Sequence, residues 1–232
     1  METARRLDAL KRVNALYDRL FAEEPTACRP GCRHCCTTRV VATTLEGFGI
    51  WEALAPGEAE RLAGRLAAAS GLPRARMRET VNALAARCAD EEGDPGEEAE
   101  EGRPEEGSAA CPLIAGELCS IYALRPFGCR GFVSRRTCAA GGAAEVDDFR
   151  LAVNSVFLQV IEHLDAGGCS GNLLDVLAAL REPGRRREYA AGRLHCSGSG
   201  LTANRPLAVL MVPPELRERI APVLKALRAI RL

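Results

Sequence analysis

Apolar residues recur at three- and four-residue intervals near the start of the chain. Leu7, Leu10, Val13, Leu16, Tyr17, Leu20 and Phe21 share one face of a helix, and Pro25 lies just past its expected end. The β-branched stretch TTRVVATT (37–44) predicts a short strand or an extended connection. Thr43 stands three residues before Glu46, the spacing of a capping box, and predicts a helix start there. Two further helical patterns run from about Pro56 to Ser70 and from about Pro73 to Cys88. The strongest amphipathic stripe is Phe149, Val153, Val156, Phe157, Val160, Ile161 and Leu164. Leu173 to Arg181 predicts another helix, and PLAVLMV (206–212) reads as a buried strand stopped by Pro213 and Pro214. Glu215 to Leu232 reads as a terminal helix. The expected fold is mainly α: a compact helical domain whose cysteine-rich loops assemble a metal site, with at most a few short strands.

Composition changes this picture in two places. Aromatic residues make up 4% of the 232, so the core must come mainly from Leu, Val, Ile and Ala. A chain of this length buries such a core without disulfide staples. The net charge of zero conceals a division: Asp90 to Gly107 holds ten acids, one arginine and no large apolar residue. Outside it stand 30 basic and 21 acidic residues, so the remainder carries about +9. The expected organisation is a cysteine-cluster domain over 1–140, interrupted by an acidic flexible insertion at 89–108. A helical region over 141–232 is expected to pack on the same core.

The first 21 residues mix charges through their apolar positions, unlike a secretory signal, and no run approaches the roughly 20 apolar residues that span a bilayer. A cytoplasmic protein is expected, with no membrane partner. Thiols stay reduced in that compartment, and clustered cysteines there bind metal or do chemistry more often than they form bridges.

Eleven cysteines are present, and CRPGCRHCC (28–36) holds four of them in nine positions. Cys28, Cys32, Cys35 and Cys36 have spacings that let one tight loop aim its sulfurs at a common centre. Cys111, Cys119 and Cys129 form a second, looser group that would close the site from across the fold. The adjacent pair is the odd feature. In extended backbone neighbours point opposite ways, so Cys35 and Cys36 are not expected to ligate one small ion together. Seven thiols also exceed the four of a tetrahedral ion, which favours more than one metal atom. Arg29, Arg33, Arg125 and Arg130 lie within four residues of these cysteines and can offset thiolate charge. Tyr122 is a candidate donor to a cluster sulfur, with packing as its default role. His34 inside the cluster and Cys138 beyond it are further candidates. Cys88, Cys169 and Cys196 read as reduced core cysteines.

The two blocks together resemble the YkgJ-type cysteine-cluster family, the CxxCxxCC putative zinc- or iron-chelating domain. The resemblance rests on the first cluster with Glu46 after it. It rests also on Cys111, Pro112, Cys119, Ile121, Tyr122, Arg125, Pro126, Cys129, Arg130 and Phe132 in CPLIAGELCSIYALRPFGCRGF. It implies a bacterial metal-cluster protein carrying an iron–sulfur cluster or zinc, with the seven cysteines as ligands. Residues after 140 lie outside it.

The function expected is a thiolate-ligated iron–sulfur or zinc protein with an electron-transfer or redox role and an unknown protein or redox partner. A structural zinc interaction module is one alternative. An iron–sulfur enzyme, protein-modifying or SAM-using, is another, since Cys28, Cys32 and Cys35 have C-x3-C-x2-C spacing. Against the latter, the chain lacks the strand–helix alternation of a (β/α) barrel. GCSGN (168–172) and HCSGSG (195–200) read as loops and match no phosphate-binding motif. PGRRREY (183–189) reads as a solvated basic face, not a clear nucleic-acid site.

Overall fold

Thr43 and Glu46 cap a helix as their spacing implies: the Thr43 hydroxyl accepts from Glu46 N–H, and the Glu46 carboxylate accepts from Thr43 N–H. In the computed structural model, residues 2–89, 108–138, 144–196 and 200–230 are described. The acidic segment Asp90–Gly107 lies outside the described residues.

The chain is mainly α. Its helices are α1 (Glu2–Leu20), α2 (Thr44–Ala53), α3 (Pro56–Ala68), α4 (Val81–Ala89), α5 (Phe127–Arg130), α6 (Asp148–Leu164), α7 (Leu173–Ala179), α8 (Pro183–Ala190) and α9 (Arg217–Arg228). The strands are short: β1 (Val41–Thr43), β2 (Ile114–Ala115), β3 (Leu118–Cys119), β4 (Cys169–Asn172) and β5 (Thr202–Ala203). Among the described residues no helix is long and apolar enough to cross a membrane.

One core runs through the molecule. Leu10, Val13, Leu16 and Tyr17 of α1 meet Val153, Val156, Phe157 and Ile161 of α6, and Ile220 and Val223 of α9 join them. The stripe on α6 is buried as its period implies, with Phe149 and Val160 at its margins. Tyr17, Phe127 and Phe157 form an aromatic group. Phe127 stacks on Phe157 at 5.6 Å, and Tyr17 meets Phe127 edge-on at 4.8 Å.

Four local expectations are corrected. GCSGN is not a loop: Cys169–Asn172 is the central strand of an antiparallel β1–β4–β5 sheet and is buried along its length. Its small polar residues carry no strand period, and non-local pairing with β1 and β5 overrides them. PLAVLMV is not a strand. Instead α6 side chains hold its backbone: Leu207 N–H donates to His163 Nδ1, Gln159 Nε2 donates to Val209 O, and Met211 N–H donates to Gln159 Oε1. The expected helix from Pro73 shortens to Val81–Ala89, because distant side chains capture the carbonyls before it. Thr38, Asn172 and Thr202 donate to Pro73 O, Ala75 O and Met77 O respectively. PGRRREY is solvated only in part: it forms α8, with Arg187 exposed but Tyr189 buried and Arg186 lying over the Trp51 ring.

The fifth correction is chemical. Cys169 and Cys196 are not reduced: they form a disulfide that ties β4 to the segment after α8. No local signal marks this pairing, since the two residues are 27 apart in sequence.

Beside the bridge lies a buried polar group. Asp165 is fully enclosed and accepts from Thr44 Oγ1 (2.7 Å), Leu45 N (2.9 Å), Tyr189 Oη (2.6 Å) and Asn204 Nδ2 (3.1 Å), with Arg6 at 3.5 Å. Burial nevertheless pushes its carboxyl up from 3.8 to about 6. A folded-state value above the unfolded one means that the native form holds its proton longer. The contribution is thus present below about pH 4 and is lost as pH rises through about 6. Urea unfolding of wild type and Asp165→Asn between about pH 4 and about pH 7 should show wild type losing stability relative to the variant. A gap that is constant or moves the other way contradicts this assignment.

Candidate metal centre

The first cysteine loop curls through two turns, closed by Cys32 N–H on Arg29 O (2.9 Å) and Cys36 N–H on Arg33 O (3.0 Å). The second turn changes the expectation for the adjacent pair. The backbone there is folded rather than extended, and each of the two thiols is the largest influence on the other's acidity. The neighbouring thiol draws Cys36 down and raises Cys35, with burial adding to the Cys35 rise.

Two tethers hold this loop. On one side Cys111 N–H donates to Cys36 O (2.9 Å), and Thr37 bridges Ala110. On the other, Ala27 N–H donates to Ser134 O (2.9 Å), and Ser134 N–H donates to Cys28 Sγ (3.3 Å). The second cysteine group is built from two elements. Cys119 ends a β2–β3 hairpin whose two-residue turn begins with Gly116 at φ 63°, a conformation glycine adopts without strain. Arg65 of α3 steadies this segment by donating to Pro112 O and Ile114 O.

Cys129 lies in α5, which has only four residues and cannot hold itself. Three contacts position it. Phe127 is locked in the aromatic group, and Glu46 Oε1 accepts from Phe127 N–H at 2.7 Å. Gly128 lies against β1 so closely that a Cβ would meet Val41 O at 2.6 Å. Glu46 thus caps α2 with one oxygen and α5 with the other.

The seven predicted cysteines line one cavity of about 750 Å³, and Cys138 lines it too. Cys28, Cys32, Cys36, Cys111, Cys119, Cys129 and Cys138 are half-buried, whereas Cys35 is exposed and Cys88 stands exposed elsewhere. Burial pushes Cys129 up to about 12, with Cys111 and Cys119 adding to the rise. Burial likewise raises Cys111 and Cys119. Thiolates there need a compensating cation, and a metal that displaces the protons supplies one. Among the described residues no three Cys, His, Asp or Glu side chains converge as a single-ion site. The sulfurs line the cavity rather than meeting at one point.

The remaining predicted residues divide. Arg130 lines the cavity with its side chain 11% exposed; Asp18 holds its Nη1 at 2.7 Å, while its buried Nε has no acceptor among the described residues. Arg125 lies over the Tyr122 ring at 4.1 Å, and its charge favours the Cys119 thiolate. Tyr122 is 40% exposed at the cavity edge, and His34 is exposed there as well. Sequence reasoning missed Arg39, Asp18 and the apolar wall of Val40, Val41, Leu113, Ile114 and Leu151, none of which has a local signature. Compared with known proteins, the chain matches no family model, no curated protein and no solved structure.

Proposed function

We propose that this cavity holds a thiolate-ligated metal centre, an iron–sulfur cluster ahead of zinc, and that the protein has an electron-transfer or redox role with a protein partner. One observation carries the reading: seven cysteines from segments up to about a hundred residues apart line a single cavity. Cys28, Cys32, Cys35, Cys36, Cys111, Cys119 and Cys129 are the proposed ligands. Their number exceeds one tetrahedral ion and suits several metal atoms. The resemblance to the YkgJ-type family is part of the proposal, because both blocks that carry it line this cavity. When bound, such a centre supplies one-electron chemistry at a potential tuned by hydrogen bonds to sulfur. Ser134 N–H already donates to Cys28, and the unpartnered Arg130 Nε–H is a donor at the same cavity. The proposed location is the cytoplasm, where ligand thiols stay reduced.

An enzymatic role for the centre is the second reading, favoured by the size of the cavity beside the thiols. The test of the metal centre is iron, zinc and acid-labile sulfide content after purification without oxygen. About two to four irons per chain with matching sulfide are expected. Cys36→Ser and Cys129→Ser should lose most of the metal, and Cys88→Ser should keep it. Protein with neither iron nor zinc, or loss on Cys88→Ser alone, refutes the assignment.

A further inference from the structure

We propose that the cavity also takes a small organic anion with an apolar body, seated beside the metal centre. This rests on the reading above in one respect: the sulfurs are committed to metal, and the rest of the wall meets the ligand. Space is the first argument. A metal ion with thiolates at about 2.3 Å fills a sphere of about 50 Å³, so a centre of four metals takes roughly 200 Å³. More than half of the 750 Å³ remains, and the whole is within the roughly 300–1,000 Å³ typical of small-molecule sites.

The wall is the second argument. Away from the sulfurs it is largely apolar, and two of its rings are open to solvent: Phe132 is 53% exposed and Tyr122, under Arg125, 40%. Large apolar groups left uncovered at a cavity mouth serve no folding purpose and suit an apolar ligand.

Charge is the third. Arg29, Arg39 and Arg125 line the same cavity, and none has an acidic partner among the described residues. Glu117 is the one carboxylate on the lining, against the arginines Arg29, Arg39, Arg125 and Arg130. Arg130, on the same lining, differs in being paired with Asp18. Unpaired guanidinium groups beside an apolar wall select a carboxylate, sulfonate or phosphate on an apolar frame.

The test uses two fluorescent probes on protein purified without oxygen: 8-anilinonaphthalene-1-sulfonate and its uncharged counterpart N-phenyl-1-naphthylamine. Metal and sulfide are measured on the same sample. One sulfonate probe per chain should bind, about tenfold tighter than the neutral probe, as expected for one charge-assisted contact. Arg29→Ala/Arg39→Ala, altering two exposed residues and leaving Arg125, should reduce that preference severalfold and leave the neutral probe unchanged. Phe132→Ser should weaken both probes, and Arg228→Ala on α9 neither. No saturable binding, equal affinity for the two probes in wild type, or a preference undiminished by the double substitution overturns the anion site. Probe binding in this pattern without metal upholds the anion site and removes the metal reading. Metal without this pattern does the reverse.

Discussion

Glu46→Ala should destabilise the protein by about 4 kcal/mol and strip the cavity of its proposed metal centre at temperatures where the variant is still folded. The carboxylate is buried, and its two oxygens accept from Thr43 N–H and Phe127 N–H. Removing it strands both donors, each at about 1–3 kcal/mol. That is a large share of the roughly 5–15 kcal/mol by which domains are stable. The effect on the site has a separate cause. Cys129 sits on a four-residue helix whose first N–H is held by Glu46, so its sulfur loses its position even when the core survives. Glu46→Gln keeps one accepting oxygen and should recover part of both losses. Urea unfolding and metal content read the two effects independently. A variant with wild-type stability and full metal would show that the double cap does not organise the site.

Breaking the Cys169–Cys196 bridge should cost about 3–4 kcal/mol on the chain-entropy account of a loop this size. In a chain of this length that lowers the melting temperature by about 10 °C. Melting Cys169→Ala/Cys196→Ala against wild type, each without reductant, measures it. Thiol titration in denaturant and chelator gives an independent check: nine reactive cysteines before reduction and eleven after. Eleven before reduction would mean that the bridge does not form. The bridge also bears on the site, because β4 pairs with β1, and β1 continues directly from the first cysteine loop. Leu173 N–H donates to Val40 O and Asn172 Nδ2 to Thr38 O, so the strand holding the bridge steadies the wall of the cavity.

Much of the fold was legible because helices announce themselves locally. The stripes on α1 and α6 follow a period near 3.6, and the Thr43–Glu46 cap needs partners only three residues apart. Those signals survive without knowledge of the rest of the chain. The segments read wrongly share the opposite property. β4 is polar, and only pairing with β1 and β5 makes it a strand. The backbone of 207–211 is held by Gln159 and His163, some fifty residues earlier. The carbonyls of 73–77 are claimed by side chains from three distant places.

The candidate site divides in the same way. Sequence by itself determined that thiols are concentrated in two blocks, that arginines accompany them, and that a capped helix follows the first block. Tertiary structure alone decided that both blocks line one cavity, and that a turn brings Cys35 and Cys36 together. It also decided that Glu46 reaches from its own helix to the cysteine-bearing one, and that Cys169 pairs with Cys196. The physical reason is range. Period and capping act within a few residues and are written in adjacent letters, whereas a sulfur's neighbours and a buried carboxylate's second partner are set by where the core brings distant backbone together.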